Sequence, residues 1–340
     1  MVAPFPKICS IVLCYGAIKE MYDCIESLVN QKEIEHTIIL VQNGAIDSLM
    51  NELSAKFENV IIVRNGCNIG AAAGRNLGIK EAKNYSPQYI FFADNDAIIA
   101  DKSISLLVST SKELPKAGFL SCLSYSKSNP ERIFSGGAYF IPPISTKHIN
   151  NLVGQKKTIY EVDFASTLAL LVPISTIDEI GWMDEKLFVY DEDVDWCLRG
   201  KQKGLSTIVN SYALAYHDIT PGKLQSPFRI YYGLRNRLAI AKKLGYMDSF
   251  WQPNVFWPVI YEIFKPLIGK YHPLGLTCSL ARIVAVIHFL RGRYGICPTY
   301  LNLPRSDYLE EKLGVWLINT PIWSIAKSVK RFIFHAEKQT

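Results

Sequence analysis

The chain has 340 residues, of which 49% are hydrophobic and 20% charged, with a mean hydropathy of +0.10. That composition excludes a disordered or low-complexity protein and leaves enough apolar material for a large packed domain with an appendage. The formal charge of +6 is unevenly divided: Pro221 to Thr340 carries 17 Lys and Arg against 6 Asp and Glu, and the residues before it carry 20 against 25. A basic, aromatic C-terminal part interleaved with apolar residues favours an anionic membrane surface as its partner and no nucleic acid.

Strand and helix signals alternate from the start. Lys7 precedes the apolar run Ile8 to Leu13, which is too short for a secretory signal and follows Pro4 and Pro6, so Ile8 to Cys14 reads as a strand buried on both faces. Lys19 to Asn30 shows helical spacing through Met21, Cys24, Ile25 and Leu28. Thr37 to Val41 reads as a strand, Ile46 to Phe57 as a helix, Val60 to Val63 as a strand, Asn76 to Lys83 as a helix and Tyr89 to Ala93 as a strand. This is the order of a mostly parallel sheet flanked by helices, and such sheets bind ligands beyond the carboxyl ends of their strands. Shorter strands follow at Gly118 to Tyr125, Thr167 to Val172 and Ser206 to Val209, with an acidic helix start before the last. Beyond Arg229 the pattern turns helical, with apolar stretches at Phe250 to Ile268, Leu276 to Leu290 and Leu313 to Phe334. Lys and Arg interrupt these stretches, so no transmembrane helix is expected. The eight cysteines contain no C-x-x-C pair and read as buried free thiols. The expected division is a catalytic domain over 1–244 and a helical, membrane-associating region over 245–340.

Four clusters carry chemistry. Asp94-Asn95-Asp96 ends an apolar strand, and two carboxylates so spaced can share a hard divalent cation whose shell substrate phosphates complete; Asp and Asn are equally ordinary turn formers. Asp191, Glu192, Asp193 and Asp195 crowd four acids into five positions between Phe188-Val189-Tyr190 and Trp196. They fit either a solvated helix start, with Arg199 pairing back to Asp195, or a partly buried general base. Gly70-Ala71-Ala72-Ala73-Gly74-Arg75-Asn76 places small residues before a helix, where a backbone or a phosphate can approach closely and Arg75 can reach it. His217, after a strand, gains meaning only beside the acidic pair.

In this order the clusters resemble the family 2 glycosyltransferases, inverting enzymes of GT-A fold. The resemblance runs from about Ile8 to Leu238. It takes in Ser10 to Tyr15, Asn68-Ile69-Gly70 through Ile79, the DxD-type Asp94-Asn95-Asp96, Ile180 to Asp195, Ala215-Tyr216-His217 and Tyr231-Tyr232-Gly233-Leu234-Arg235-Asn236. The later blocks are most similar to rhamnosyl-, galactosyl- and glucosyltransferases of bacterial surface polysaccharide assembly. The resemblance implies a UDP- or dTDP-sugar donor lying over the strand ends, near Tyr15, Gln42, Asn43, Asn68, Gly70, Arg75 and Asp94. It also implies Mg²⁺ or Mn²⁺ held by Asp96 with Asp94 and His217, Asp193 as general base, and Glu192 helping to place the acceptor. The acceptor would be a glycan hydroxyl, lipid-linked, which puts the enzyme in the cytoplasm on the inner face of the membrane. Where the family commonly has an Asp after its second strand, this chain has Gln42, able to bond a uracil or thymine edge. Two alternatives stand beside this reading: a non-catalytic membrane-surface protein with a degenerate site, and a haloacid-dehalogenase-like phosphatase using Asp94 and Asp96. The phosphatase would need that pair after its first core strand, and here three strands precede it.

Overall fold

The computed structural model describes residues 5–16, 19–57, 60–150, 158–218, 226–250, 252, 256–257, 260–261 and 273–297. They fall into two compact units that divide between Ile219 and Thr220, the short stretch Pro142–Ile144 belonging with the second.

The first unit opens with β1 (Lys7–Gly16), α1 (Glu20–Val29), β2 (Glu35–Ala45), α2 (Asp47–Lys56), β3 (Val60–Val63), α3 (Ala71–Ala82) and β4 (Tyr89–Asp94). It continues with β5 (Ile98–Ile99), α4 (Ser103–Glu113), β6 (Ala117–Tyr125), β7 (Ile133–Ser135), β8 (Ala138–Ile141), β9 (Ser145–His148), β10 (Ile159–Val162), β11 (Ala169–Pro173), α5 (Ile174–Ile180), α6 (Glu192–Gln202) and β12 (Ser206–Tyr216). The main sheet runs β10-β12-β6-β11-β4-β1-β2-β3, with β5 on β12 and β7 on β6. β1 is parallel to both β2 and β4, and β2 to β3. β11 enters antiparallel between β4 and β6. The sheet is therefore parallel in the half built by alternating strands and helices, and mixed beyond β4.

β1 is buried over Ile8 to Val12, as a strand covered on both faces requires. α1 buries Met21, Cys24, Ile25 and Leu28 against that core. α3 starts at Ala71, five residues before the expected Asn76, because the Ala run carries strong helix propensity that the glycines around it mask in a pattern reading. Its glycines form a flat contact face. A Cβ at Gly78 would lie 2.5 Å from Cγ2 of Ile11, and one at Gly74 would overlap Leu13, so the helix lies close enough to β1 to aim Arg75 at the strand ends.

The second unit contains α7 (Pro227–Lys243), α8 (Met247–Phe250) and α9 (Pro273–Leu290). Ser226 caps α7 by accepting the Arg229 N–H at 3.2 Å, with Pro227 in the first turn. Within the Tyr-Tyr-Gly-Leu-Arg-Asn block, Arg235 is buried against the rings of Tyr231, Tyr232 and Tyr294 and donates to the Gly295 carbonyl at 2.8 Å. Tyr231 Oη meets His288 Nδ1 at 2.7 Å, and Tyr232 Oη accepts the Cys297 N–H at 2.8 Å. This block ties α7 to α9 and the turn after it. The stretch expected at Leu276 to Leu290 is helical; that at Leu313 to Phe334, and most of Phe250 to Ile268, lies outside the described residues. Among the described residues no helix is long and apolar enough to cross a membrane.

Candidate active site

Asp94 ends β4 level with Leu13 of β1, and the chain turns at once, the Ala97 N–H donating to the Asp94 carbonyl at 3.0 Å. The turn carries Asp96 to the end of β12, where its Oδ1 lies 2.9 Å from His217 Nε2. Burial works to raise the Asp96 carboxyl, but the His217 hydrogen bond and charge and the Lys127 ammonium outweigh it and hold the group below its usual range. The His217 ring packs on Phe134 at 4.6 Å, and its Nδ1 is buried without a hydrogen-bond partner among the described residues. Among the described residues no group of three or more His, Cys, Asp or Glu side chains is placed to hold a metal. A carboxylate and an imidazole converging from two strand ends nevertheless fit Mg²⁺ or Mn²⁺ bound in the usual incomplete way, with phosphate oxygens and water filling the shell.

Asp94 faces the other way. Arg75, buried in the first turns of α3, donates through Nη2 to Asp94 Oδ1 at 3.2 Å and through Nη1 to Glu192 Oε1 at 2.6 Å. One guanidinium thus joins the DxD turn to the acidic start of α6, Arg75 and Glu192 lying 117 residues apart along the chain. Burial opposes the Arg75 charge, yet Glu192, Asp94 and Asp193 hold it protonated. The carboxyls move upward. Burial, against the opposing pull of Arg75 and with a push from Asp193, raises Glu192 to about 7. Burial and the Asp191 charge raise Asp193 to about 6. A helix N-terminus lowers a carboxyl on its own; here desolvation and like charge win. Glu192 Oε2 is buried with no hydrogen-bond partner among the described residues. Asp193 is half-buried, its Oδ1 accepting the Val194 N–H at 2.8 Å, so its carboxylate keeps a lone pair for a neighbouring hydroxyl. Asp195 is fully buried and takes Arg199 Nε at 2.9 Å, the pairing across one turn that the spacing predicts. It serves the fold of α6, since Arg199 also donates to the Ile180 and Trp182 carbonyls.

The segment leading into α6 is strained. Phe188, Tyr190 and Asp191 all have positive φ, at 67°, 65° and 60°, an unusual conformation for residues other than glycine. At Phe188 the Val189 N–H donates to the Leu187 carbonyl at 2.9 Å, a γ-turn of the rare, costly hand. The turn aims the Phe188 carbonyl at the start of α3, where it accepts from Ala71 N at 2.5 Å and Ala72 N at 3.3 Å. Gly70, with φ of +92°, permits this: a Cβ there would lie 2.5 Å from the Phe188 carbonyl oxygen. The close approach allowed by the small residues is made by this carbonyl, and two free donors of the helix start are taken up by it.

The remaining expected residues line the ends of β1 and β2. Asn43 accepts from Ile69 N at 2.9 Å and donates to Asn68 Oδ1 and the Gly70 carbonyl, both at 3.2 Å. Asn68 in turn accepts the Gly70 N–H at 2.9 Å, so Asn43 and Asn68 fix the loop that starts α3. Gln42 is buried, and its Nε2 donates to the Ala45 carbonyl at 3.0 Å and Asp47 Oδ1 at 2.7 Å, which ties down the turn into α2. Tyr15 is exposed beside Gly44, and its carbonyl accepts from Asn95 at 3.3 Å. Two participants have no motif to announce them: Phe188, which acts through its backbone, and Lys127, which donates to the Asp96 carbonyl.

Asp96 with His217 stands at one end of the site, and Arg75 joins the neighbouring Asp94 to the buried Glu192, which precedes the half-buried Asp193. The family described as Glycosyl transferase family 2 matches residues 9–169. The chain carries a family 2 glycosyltransferase domain. Among its curated relatives, the dTDP-rhamnosyl transferase RfbF of Shigella flexneri is 22% identical over 233 residues, covering 64% of this chain and 75% of that protein. The N-acetylglucosaminyl-diphospho-decaprenol L-rhamnosyltransferase of Mycobacterium tuberculosis is 24% identical over 213 residues, covering 56% of this chain and 69% of that one. A crystal structure of GalNAc-T7 with UDP, GalNAc and Mn²⁺ shares the fold at a TM-score of 0.59 and 13% identity, over 85% of this chain and 56% of that one. S. aureus TarS does so at a TM-score of 0.51 and 15% identity, over 85% and 50%. The chain thus spans about half the length of these solved structures. In fold it is similar to GT-A glycosyltransferases, and in sequence to bacterial rhamnosyltransferases.

Proposed function

We propose that the chain is an inverting, metal-dependent transferase that moves a sugar from a UDP or dTDP donor to a glycan hydroxyl. The observation that carries the reading is the Glu192–Arg75–Asp94 bridge, which sets the acidic start of α6 beside the turn that brings Asp96 to His217. Asp96 and His217 would hold Mg²⁺ or Mn²⁺, and the ion, when bound, neutralises charge on the donor diphosphate. Asp193 takes the proton from the acceptor hydroxyl as that oxygen attacks the anomeric carbon on the face opposite the leaving group. One such displacement inverts the centre. A base raised to about 6 stays ionised at neutral pH while lying close to it, which suits proton transfer. Glu192, locked by Arg75, orients the acceptor.

The names of the relatives support a dTDP-sugar donor and a diphospholipid-linked acceptor. With the basic, aromatic C-terminal part, they favour work in the cytoplasm at the inner membrane face, in surface polysaccharide synthesis. In this reading catalysis belongs to 1–244 and surface binding to 245–340. The test is release of nucleoside diphosphate from a panel of UDP-, dTDP- and GDP-sugars with Mn²⁺ or Mg²⁺, supplied with lipid-linked glycan acceptors. Release from a UDP- or dTDP-sugar is expected, lost with EDTA and with Asp193→Asn. No release from any donor, together with no donor binding by calorimetry, would overturn the reading.

A further inference from the structure

Lys127 has no part in the site as read from the sequence, yet its side chain reaches into it. The ammonium donates to the Asp96 backbone carbonyl. A lysine has three N–H donors, and this contact engages one of them on a neutral carbonyl, which leaves donors for a further anion while the charge also acts on the Asp96 carboxylate. The residue is half-buried, where a charge acts more strongly than in open water.

Its position is built rather than incidental. Lys127 stands between Ser126 and Ser128 on the turn after β6, and Asp218, next to His217, gathers that turn from three donors. Ser126 Oγ reaches Asp218 Oδ1 at 2.5 Å, Ser128 N reaches Oδ2 at 2.9 Å, and Ser128 Oγ reaches Oδ1 at 3.2 Å. The His217 N–H also donates to the Tyr125 carbonyl at 2.9 Å. The strand end that supplies His217 therefore also fastens the turn that supplies Lys127.

We infer that Lys127 binds the diphosphate of the nucleotide donor, with Asp218 as the residue that positions it. The inference rests on the transferase reading above and adds a residue to it. When the bond between the anomeric carbon and the β-phosphate oxygen breaks, its electron pair stays on that oxygen and the nucleoside diphosphate gains a negative charge. A divalent ion, which Asp96 and His217 would hold, would offset part of that charge, and the Lys127 ammonium at the same turn would meet more of it without reorganising. A lysine whose only role is to tether the Asp96 turn would affect folding and leave diphosphate affinity alone.

Calorimetric titration of UDP and dTDP in the presence of Mn²⁺, into the full chain and its Lys127→Met, Lys127→Arg and Asp218→Asn variants, separates these roles. Charge-assisted contacts of this kind are worth about tenfold or more in affinity. Lys127→Met is expected to bind both diphosphates at least about tenfold more weakly, and the matching monophosphates with a smaller loss. Lys127→Arg should retain most of the affinity, and Asp218→Asn, which keeps the lysine but loosens its turn, should lose about three- to tenfold. Thermal denaturation establishes that each variant is folded; should Lys127→Met not fold, the Asp218→Asn titration decides. Wild-type binding with Lys127→Met, or in its place Asp218→Asn, within about twofold of it overturns the inference and leaves the transferase reading standing. No binding of either diphosphate by the wild type removes that reading and the inference together.

Discussion

Replacing Arg75 with Met removes the guanidinium that joins Glu192 to Asp94 and leaves a side chain of similar bulk. Both carboxyls stay where they are, and Glu192 is 5% exposed. Breaking a buried pair from one side costs about 3–5 kcal/mol when the remaining charge cannot leave. Glu192 has an escape, because it can take up a proton, and that makes the cost depend on pH. The carboxyl ionises at about 4.5 unfolded and about 7 in the native chain. The wild type therefore loses stability as pH rises from the first value to the second, then levels off once Glu192 is ionised in both states. In Arg75→Met the carboxyl is held neutral well above 7, so the loss continues. From pH 7 to 8.5 that is about 1.4 kcal/mol per unit, or about 2 kcal/mol in all. The variant should thus be destabilised by about 2 kcal/mol more at pH 8.5 than at pH 6, with the full 3–5 kcal/mol or so reached at the higher value. Urea denaturation of both proteins across this range gives the two curves. Parallel curves would refute the reasoning, since they would mean that Glu192 is not an ionised, buried partner of Arg75.

Asp193 governs a pH dependence of a different kind. With its carboxyl raised to about 6, kcat/KM should climb about tenfold per unit below that value and flatten above it. Asp193→Asn should lower kcat by about 10²- to 10⁴-fold while donor binding, followed by calorimetry, stays intact. Gly70→Ala tests the carbonyl from the strained turn: a Cβ meeting the Phe188 oxygen at positive φ should destabilise by about 1–3 kcal/mol in thermal denaturation and reduce transfer. Wild-type stability in that variant would mean that the α3 start can shift away from Phe188. His217→Ala should weaken Mn²⁺ binding in the presence of nucleoside diphosphate at least about tenfold, read by the paramagnetic resonance of free Mn²⁺.

Much of this protein is determined by local pattern. The continuous apolar run of β1, the four-residue turns of α1 and the alternation of strands with helices up to Asp94 state a parallel sheet and where its carboxyl ends lie, because side-chain periodicity follows directly from backbone geometry. The acids and His217 are equally visible as clusters, although turns and helix starts use the same residue types and only their order along the chain points to a site. What pattern could not decide is which of these groups meet. Arg75 looks like a phosphate ligand in sequence, and only the fold brings it between Glu192 and Asp94. Gln42, an oddity in its motif, proves to hold the turn into α2. The antiparallel entry of β11 depends on pairing between segments far apart in the chain. Phe188 contributes a carbonyl, and Lys127 sits over Asp96 because Asp218 gathers its turn from 90 residues away. Backbone groups have no residue code, and long-range contacts leave no periodicity; both exist only once the chain has closed on itself.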